Sequence, residues 1–161
     1  MYFSLLLISF LFWSACTSKT QEKAGNELAE EMIEKTTGSQ VELENGGANV
    51  TIEGNGEKVE INQEASEWPD EIKSDFPKID GGAITRVVRN ETNENLTFNI
   101  YYDSVSKDQV DQFAQDLKKN GFQVQKIDLG GKGQISGQKE NDLAMLFFGG
   151  KTSMLSVQQS K

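Results

Sequence analysis

Residues 106–122 read Ser-Lys-Asp-Gln-Val-Asp-Gln-Phe-Ala-Gln-Asp-Leu-Lys-Lys-Asn-Gly-Phe, and this stretch carries signals for both ends of a helix. Ser106 followed by Gln109 is the pattern of a capping box, and Val105 and Val110 stand where a hydrophobic staple belongs. Two lysines in the last turn interact favourably with the helix dipole, and the glycine after them can take the left-handed conformation that ends a helix. The predicted buried stripe is Val110, Phe113, Ala114 and Leu117.

Strands are predicted on both sides of this helix. Apolar alternation and intervening turns predict strands at 83–89, 96–102, 122–128, 134–138, 142–148 and 153–159. The resulting order is β-β-α-β-β-β-β. A mostly antiparallel sheet with one well-capped helix packed on it is the economical architecture for that order, so the sequence predicts an α+β fold.

The stretch 143–148, Leu-Ala-Met-Leu-Phe-Phe, contains no polar side chain. Such a run predicts a strand that is buried on both faces. The helix covers one face, and the N-terminal helix and meander are the available cover for the other. Without that cover Leu146 and Phe148 would form an exposed apolar patch of the kind that marks a partner site.

The chain before residue 65 predicts a helix followed by a three-stranded meander. An apolar stripe at helical spacing predicts the helix over 27–36, with Gly38 placed to end it. Apolar-x-apolar pairs then recur at equal spacing, and Asn-Gly turns between them predict antiparallel strands. The pairs are Val41 and Leu43, Val50 and Ile52, and Val59 and Ile61. The opposite face would carry Glu42, Glu44, Thr51, Glu53 and Glu60.

Residues 65–80 form the predicted connection between the two parts. Pro69 follows Trp68 and Pro77 follows Phe76, and each proline biases the residue before it toward an extended conformation. Trp68, Ile72, Phe76 and Ile79 would pin this connection onto the body of the protein. An aromatic clamp is one interpretation of Trp68, and a ligand-stacking residue is the other.

An uncharged apolar run over residues 1–15 stops at Cys16, the only cysteine. The run is too short to span a bilayer as a helix, and it resembles a bacterial lipoprotein signal peptide. The resemblance implies that Cys16 carries the acyl anchor, and Thr17 in place of Asp resembles outer-membrane sorting if the organism has two membranes. The predicted organisation is a signal peptide (1–15), a tether (16–26), a helix plus meander (27–64), a Trp/Pro linker (65–80) and an α+β domain (81–161).

Composition excludes several kinds of chemistry. The chain has no histidine, so His-dependent catalytic triads and His metal sites are excluded, and the cysteine is committed to lipid. A net charge of −9 argues against nucleic acid, whose phosphates need a basic surface. The sheet carboxylates lack an Asp-x-Asp-x-Asp-Gly loop, so we expect no metal and no cofactor. Gly149-Gly150-Lys151-Thr152 predicts a hairpin turn because a strand follows it, whereas a phosphate-binding loop needs a helix there.

Further stretches resemble a family of small bacterial envelope lipoproteins. They are Leu-Ala-Glu-Glu-Met-Ile-Glu-Lys-Thr-Thr-Gly at 28–38, Val-Thr-Ile at 50–52, Trp68-Pro69 with Asp-Phe-Pro at 75–77, and 110–117 leading into Lys-Asn-Gly-Phe. These motifs are structural, so the resemblance implies the fold and an envelope location but no activity, cofactor or site residue.

The leading functional hypothesis is a non-enzymatic binding or interaction module held at the cell envelope. It would recognise another envelope protein or a small amphiphile through a surface near Trp68, Tyr101, Leu146 and Phe148. One alternative is an envelope hydrolase that uses Ser or carboxylates, which requires a concave polar cluster with a shifted pKa. A structural spacer lipoprotein without a ligand is the other.

Overall fold

A computed structural model of the chain describes residues 30–31, 34–35, 38–44 and 49–161. They form a nine-stranded antiparallel sheet with one helix packed on it, an α+β fold. The elements are β1 (Gln40–Glu44), β2 (Asn49–Gly54), β3 (Glu57–Asn62), β4 (Ile84–Glu91), β5 (Asn95–Tyr102), α1 (Lys107–Lys119), β6 (Gln123–Asp128), β7 (Gly133–Lys139), β8 (Asp142–Phe148) and β9 (Ser153–Ser160). The strand order in the sheet is β1-β2-β3-β4-β5-β9-β8-β7-β6.

The predicted order β-β-α-β-β-β-β is confirmed for β4 to β9, and the predicted meander is confirmed as β1 to β3. The meander continues the same sheet, because β3 pairs with β4 along its length. The predicted signal peptide, the tether and most of the predicted helix over 27–36 lie outside the described residues. Within that helix Glu30, Glu31, Glu34 and Lys35 are described, and their backbone is helical.

Helix α1 has both of the predicted ends. The Ser106 hydroxyl accepts a hydrogen bond from the Gln109 backbone N–H at 3.3 Å, and the Gln109 side chain accepts one from the Ser106 N–H at 2.8 Å. Gly121 has φ +89°, and the Phe122 N–H donates to the Leu117 carbonyl at 3.0 Å. These contacts satisfy groups that a helix end leaves without intrahelical partners, so local sequence fixes where α1 starts and stops.

The main core lies between α1, the crossover segment (residues 65–80) and one face of β4 to β9. All four predicted stripe residues of α1 are buried. Three crossover residues, Ile72, Phe76 and Ile79, are buried against the same core, and Trp68 packs partly buried beside them. The crossover therefore lies pinned across the sheet, as its apolar residues predicted.

Strand β8 contradicts the prediction of burial on both faces. Ala144 and Leu146 are buried toward α1, whereas Phe147 is 38% exposed and Met145 is half-buried. The meander does not cover the second face because it extends the sheet sideways, and β4, β5 and β9 separate it from β8. The predicted cover by the meander is therefore wrong.

The meander buries the opposite side of the sheet from β4 to β9. Cross-strand register places Glu42, Thr51 and Glu60 in the same row as Phe98 and Val157, which face the main core. The apolar partners of the meander project the other way, and Val41 among them is only 2% exposed. The predicted separation into an apolar face and a carboxylate face is confirmed.

The free edge of β1 is covered by helical residues. The Val41 N–H donates to the Glu34 carboxylate at 3.1 Å, and the Leu43 N–H donates to the Glu30 carboxylate at 2.6 Å. Unpaired edge N–H groups invite pairing with another strand, so these two carboxylates protect that edge.

Candidate functional site

The structure does not bring the predicted surface residues together. Leu146 is fully buried under α1, so it cannot touch a partner. Trp68 and Phe148 pack partly buried around the main core, whereas Tyr101 lies on the opposite face of the sheet. The prediction of one surface near these four residues is therefore corrected. Cys16, the predicted anchor, lies outside the described residues.

The face of β4 to β9 that points away from α1 is instead a broad surface, here called the open face. Its central row is Gln125, Ser136, Met145, Ser156, Asn99 and Val88. One flanking row is Ile127, Gln134, Phe147, Met154, Tyr101 and Arg86. The other flanking row is Gln123, Gln138, Leu143, Gln158, Thr97 and Asn90. All of these residues are described, and none of them is buried.

The open face carries no carboxylate, although the chain contains 25 Asp and Glu residues. Arg86 is its charged residue, and it stands on the border strand β4. The guanidinium carbon of Arg86 lies 3.9 Å from the centroid of the Tyr101 ring, a cation–π contact that holds the charge against the sheet. The remaining polar residues of the face are amides and hydroxyls.

Apolar side chains form a stripe through the middle of the open face. Along β8, Leu143, Met145 and Phe147 project to this side, and Met154 lies opposite Phe147 on β9. Ile127 on β6 is 59% exposed in the same row as Phe147. Methionine and aromatic side chains adapt well to a partner surface, and exposed apolar patches of this kind mark contact sites.

A separate cleft of about 490 Å³ lies between the crossover segment and β3 to β5. Trp68, Pro69, Val87 and Phe98 supply its apolar walls. Glu60, Glu67, Asp70, Glu71 and Arg89 supply its charged groups. This volume falls within the range of small-molecule sites, so the cleft is the second candidate.

Arg89 organises the charges at this cleft. Its Nε and Nη2 atoms donate to Glu71 at 3.1 and 3.0 Å, Nη2 also lies 2.8 Å from Glu91, and Nη1 lies 3.5 Å from Glu60. Burial opposes the positive charge, but the hydrogen bonds to Glu71 and Glu91 outweigh it, and the pKa of Arg89 is raised. Hydrogen bonds from Lys161 and Arg89 lower the pKa of Glu91 to about 2.

The glycine-rich turns at one end of the sheet are hairpin connections, as predicted for Gly149-Gly150-Lys151. Gly149 has φ +96°, and a Cβ there would stand 2.3 Å from the Gly131 carbonyl oxygen of the neighbouring hairpin. A strand, β9, follows this turn. Among the described residues no group of three or more acidic, cysteine or histidine side chains is placed to hold a metal ion.

A scan against protein-family models, a search of curated proteins and a search of solved structures found no match to this chain. No helix in the described part of the chain is long and apolar enough to cross a membrane. The open face and the Trp68 cleft are the two candidate sites in the described part of the chain.

The open face was not predicted from the sequence, although part of its pattern is visible there. The alternation of Thr97, Asn99 and Tyr101 with buried residues was visible in β5, and it identified a polar face. The same alternation in β7 to β9 would have placed uncharged residues beside it. Only the register showed that these residues join into one surface without a carboxylate.

Proposed function

We propose that this chain is a lipid-anchored protein of the cell envelope whose folded part is a non-enzymatic interaction module, and that the open face is its contact surface. The observation that carries the proposal is the absence of carboxylates from a broad exposed face in an acidic chain. Interface cores are depleted in charged residues and enriched in aromatic residues and methionine. The composition of the open face follows that pattern.

The exposure of its apolar residues supports the same conclusion. Phe147 and Ile127 would lose accessible surface in a complex, and each square ångström of apolar surface removed from water contributes about 25 cal/mol. Few charges on the face need to be desolvated at the same time. Contact with another macromolecule is therefore favoured here more than at the carboxylate face of the meander.

Photo-crosslinking in living cells tests the proposal. A photoreactive amino acid at position 145, in the centre of the open face, is expected to give a discrete light-dependent adduct. The same group at Thr51, on the carboxylate face of the meander, is the matched control and is expected to give none. Absence of an adduct at both 145 and 147, or equal adducts at 145 and 51, would contradict the assignment.

The anchor is tested separately through Cys16. Cys16→Ala is expected to abolish lipid labelling and to move the protein out of the membrane fraction, because acyl chains on that thiol would hold it there. Unchanged fractionation would refute anchoring. It would leave the argument for the open face intact.

A small amphiphile in the Trp68 cleft is a second candidate, favoured by the apolar walls beside the ion pair of Arg89 and Glu71. The carboxylates at the cleft outnumber Arg89, so a cationic head group suits its charge. Titration with an alkyl ammonium compound is expected to change the fluorescence of the native protein saturably. Trp68→Phe is the control that removes the response, and a response that persists in this variant would place the binding elsewhere.

A further inference from the structure

We propose that the occupant of the open face is a second copy of this chain, packed face to face around a two-fold axis. This inference rests on the proposed function, because it names the partner of the same surface. The charge of the molecule, the size of the face and the arrangement of its central residues all favour a second copy.

Charge limits how two copies can approach. Each copy carries a net charge of −9. On the exposed side of α1, three aspartates are balanced by Lys107, Lys118 and Lys119, so that surface is nearly neutral. The meander presents an excess of carboxylates, so contact between two copies through that face would bring like charges together. The open face lacks carboxylates, and contact through it keeps the acidic surfaces of the two copies apart.

The face is also large enough. Six strands spaced about 4.8 Å apart and three rows of side chains give a flat footprint of about 600 Å². Corrugation by the side chains increases the accessible area of that footprint. It therefore approaches the roughly 800 Å² per partner that is standard for stable interfaces.

The centre of the face is self-complementary. The middle of the strand order β4-β5-β9-β8-β7-β6 falls between β9 and β8, where Ser156 and Met145 are direct cross-strand neighbours. A two-fold contact places residue i on residue j and residue j on residue i. Around an axis that runs parallel to the strands between β8 and β9, each long Met145 side chain lies over the small Ser156 of the other copy. The surrounding amides and hydroxyls can then pair across the interface.

A lipid surface fits the face less well. Glutamine, asparagine, serine and threonine residues occupy most of the open face, and their polar groups would lose water without gaining partners in a hydrocarbon layer. Against a second sheet the same groups can bond to each other. The observations therefore favour a protein partner.

Sedimentation velocity on the purified full-length chain over a range of concentrations tests the proposal. We expect a reversible dimer, and Ser156→Glu is expected to weaken it by about a hundredfold, because the two-fold axis buries the new charge twice. Ser74→Glu, the same change at an exposed site in the crossover segment, is the matched control and leaves the dimer unchanged. Circular dichroism checks that both variants are folded.

A rescue experiment keeps the proposal falsifiable if Ser156→Glu acts by another route. Met145→Lys alone also prevents dimer formation, but an equimolar mixture of Met145→Lys and Ser156→Glu chains forms a mixed dimer, because the two new charges face each other. Failure of the mixture to associate would overturn the proposed axis. A chain that stays monomeric at about 100 µM, well above typical dissociation constants of stable dimers, would overturn the proposal itself.

The outcome also separates this inference from the proposed function. A monomeric chain that gives a crosslink at position 145 to a different protein keeps the open face as an interaction surface but excludes the second copy. A monomeric chain that binds vesicles of phosphatidylglycerol and phosphatidylethanolamine through Phe147 excludes it in favour of a lipid surface. Absence of any adduct at the open face rejects both the second copy and the open face as a contact surface.

Discussion

The meander, β1 to β3, and the helix-covered strands, β4 to β9, belong to one sheet but bury opposite faces. In the helix-covered part the residues toward α1 form the core, and in the meander the same rows hold carboxylates. Arg89 lies where the row changes from core residues to carboxylates, between Phe98 of β5 and Glu60 of β3. One continuous sheet therefore has a different inner face in each part, and this leaves the second face of β4 to β9 open.

The largest change in stability is expected in β8, whose two faces differ in burial. Leu146→Ala removes a fully buried side chain of β8 and should lower the free energy of unfolding by about 2–5 kcal/mol. Leu143→Ala, on the open face of the same strand, should lower it by about 1 kcal/mol or less, since little burial is lost. Urea denaturation of the two variants in dilute solution, where the chain is monomeric, measures the difference. Equal losses would mean that the open face is covered in the isolated protein.

The next largest change in stability is expected at the junction between β3 and β4, where Arg89 lies. Arg89→Leu leaves Glu60, Glu71 and Glu91 without their shared partner and should cost about 2 kcal/mol, the value of hydrogen bonds between charged groups. Hydrogen exchange should speed up in β3 and β4 and stay unchanged in β8 and β9. Uniform acceleration through the whole sheet would show that Arg89 does not separate the two parts. Arg86→Leu, on the opposite face of β4, is the matched control.

The N-terminus of α1, where the capping box lies, contributes a smaller change in stability. Ser106→Ala removes the side-chain acceptor for the Gln109 N–H and should lower stability by about 1 kcal/mol. Ser106→Asp keeps a side-chain acceptor for this N–H and should retain most of the stability of the native protein. Thermal melting compares the two. A loss shared by both variants would mean that the hydroxyl is not acting as a cap.

The smallest effect is a pH dependence that ties α1 to the edge strand β6. Hydrogen bonds from Lys107 and Lys126 lower the pKa of Asp111 from 3.8 to about 2. Because the pKa is lower in the folded state, this stabilisation is present above about pH 4 and is lost as the pH falls through 2. The melting temperature of the native protein should therefore drop more between pH 5 and pH 2 than that of Asp111→Asn. Parallel curves would contradict the assignment.

Local features of the fold were predictable because short stretches of sequence determine them. The capping box at Ser106, the glycine after α1 and the alternating strands all act over a few residues. The crossover was predictable for a similar reason, since Ile72, Phe76 and Ile79 lie close together in the sequence and all three are buried in the main core.

The open face was not predictable because it depends on how distant strands join. The apolar run of β8 indicated burial on both faces, but no local signal says whether a second layer is present. The predicted surface failed for the same reason. Tyr101 and Leu146 are both apolar strand residues, and only register and burial show that they face opposite sides.

Hydroxyl-radical footprinting, performed once on the dilute purified chain and once in intact native membranes, shows directly whether a partner covers the open face. Met145, Met154 and Phe147 of the open face are readily oxidised when exposed, and Trp68, which packs partly buried on the other face of the sheet, provides the internal reference. Strong oxidation of the three open-face residues is expected in the dilute chain, with clear protection of them in membranes and no change at Trp68. Equal oxidation of the open face in both samples would mean that no partner covers it.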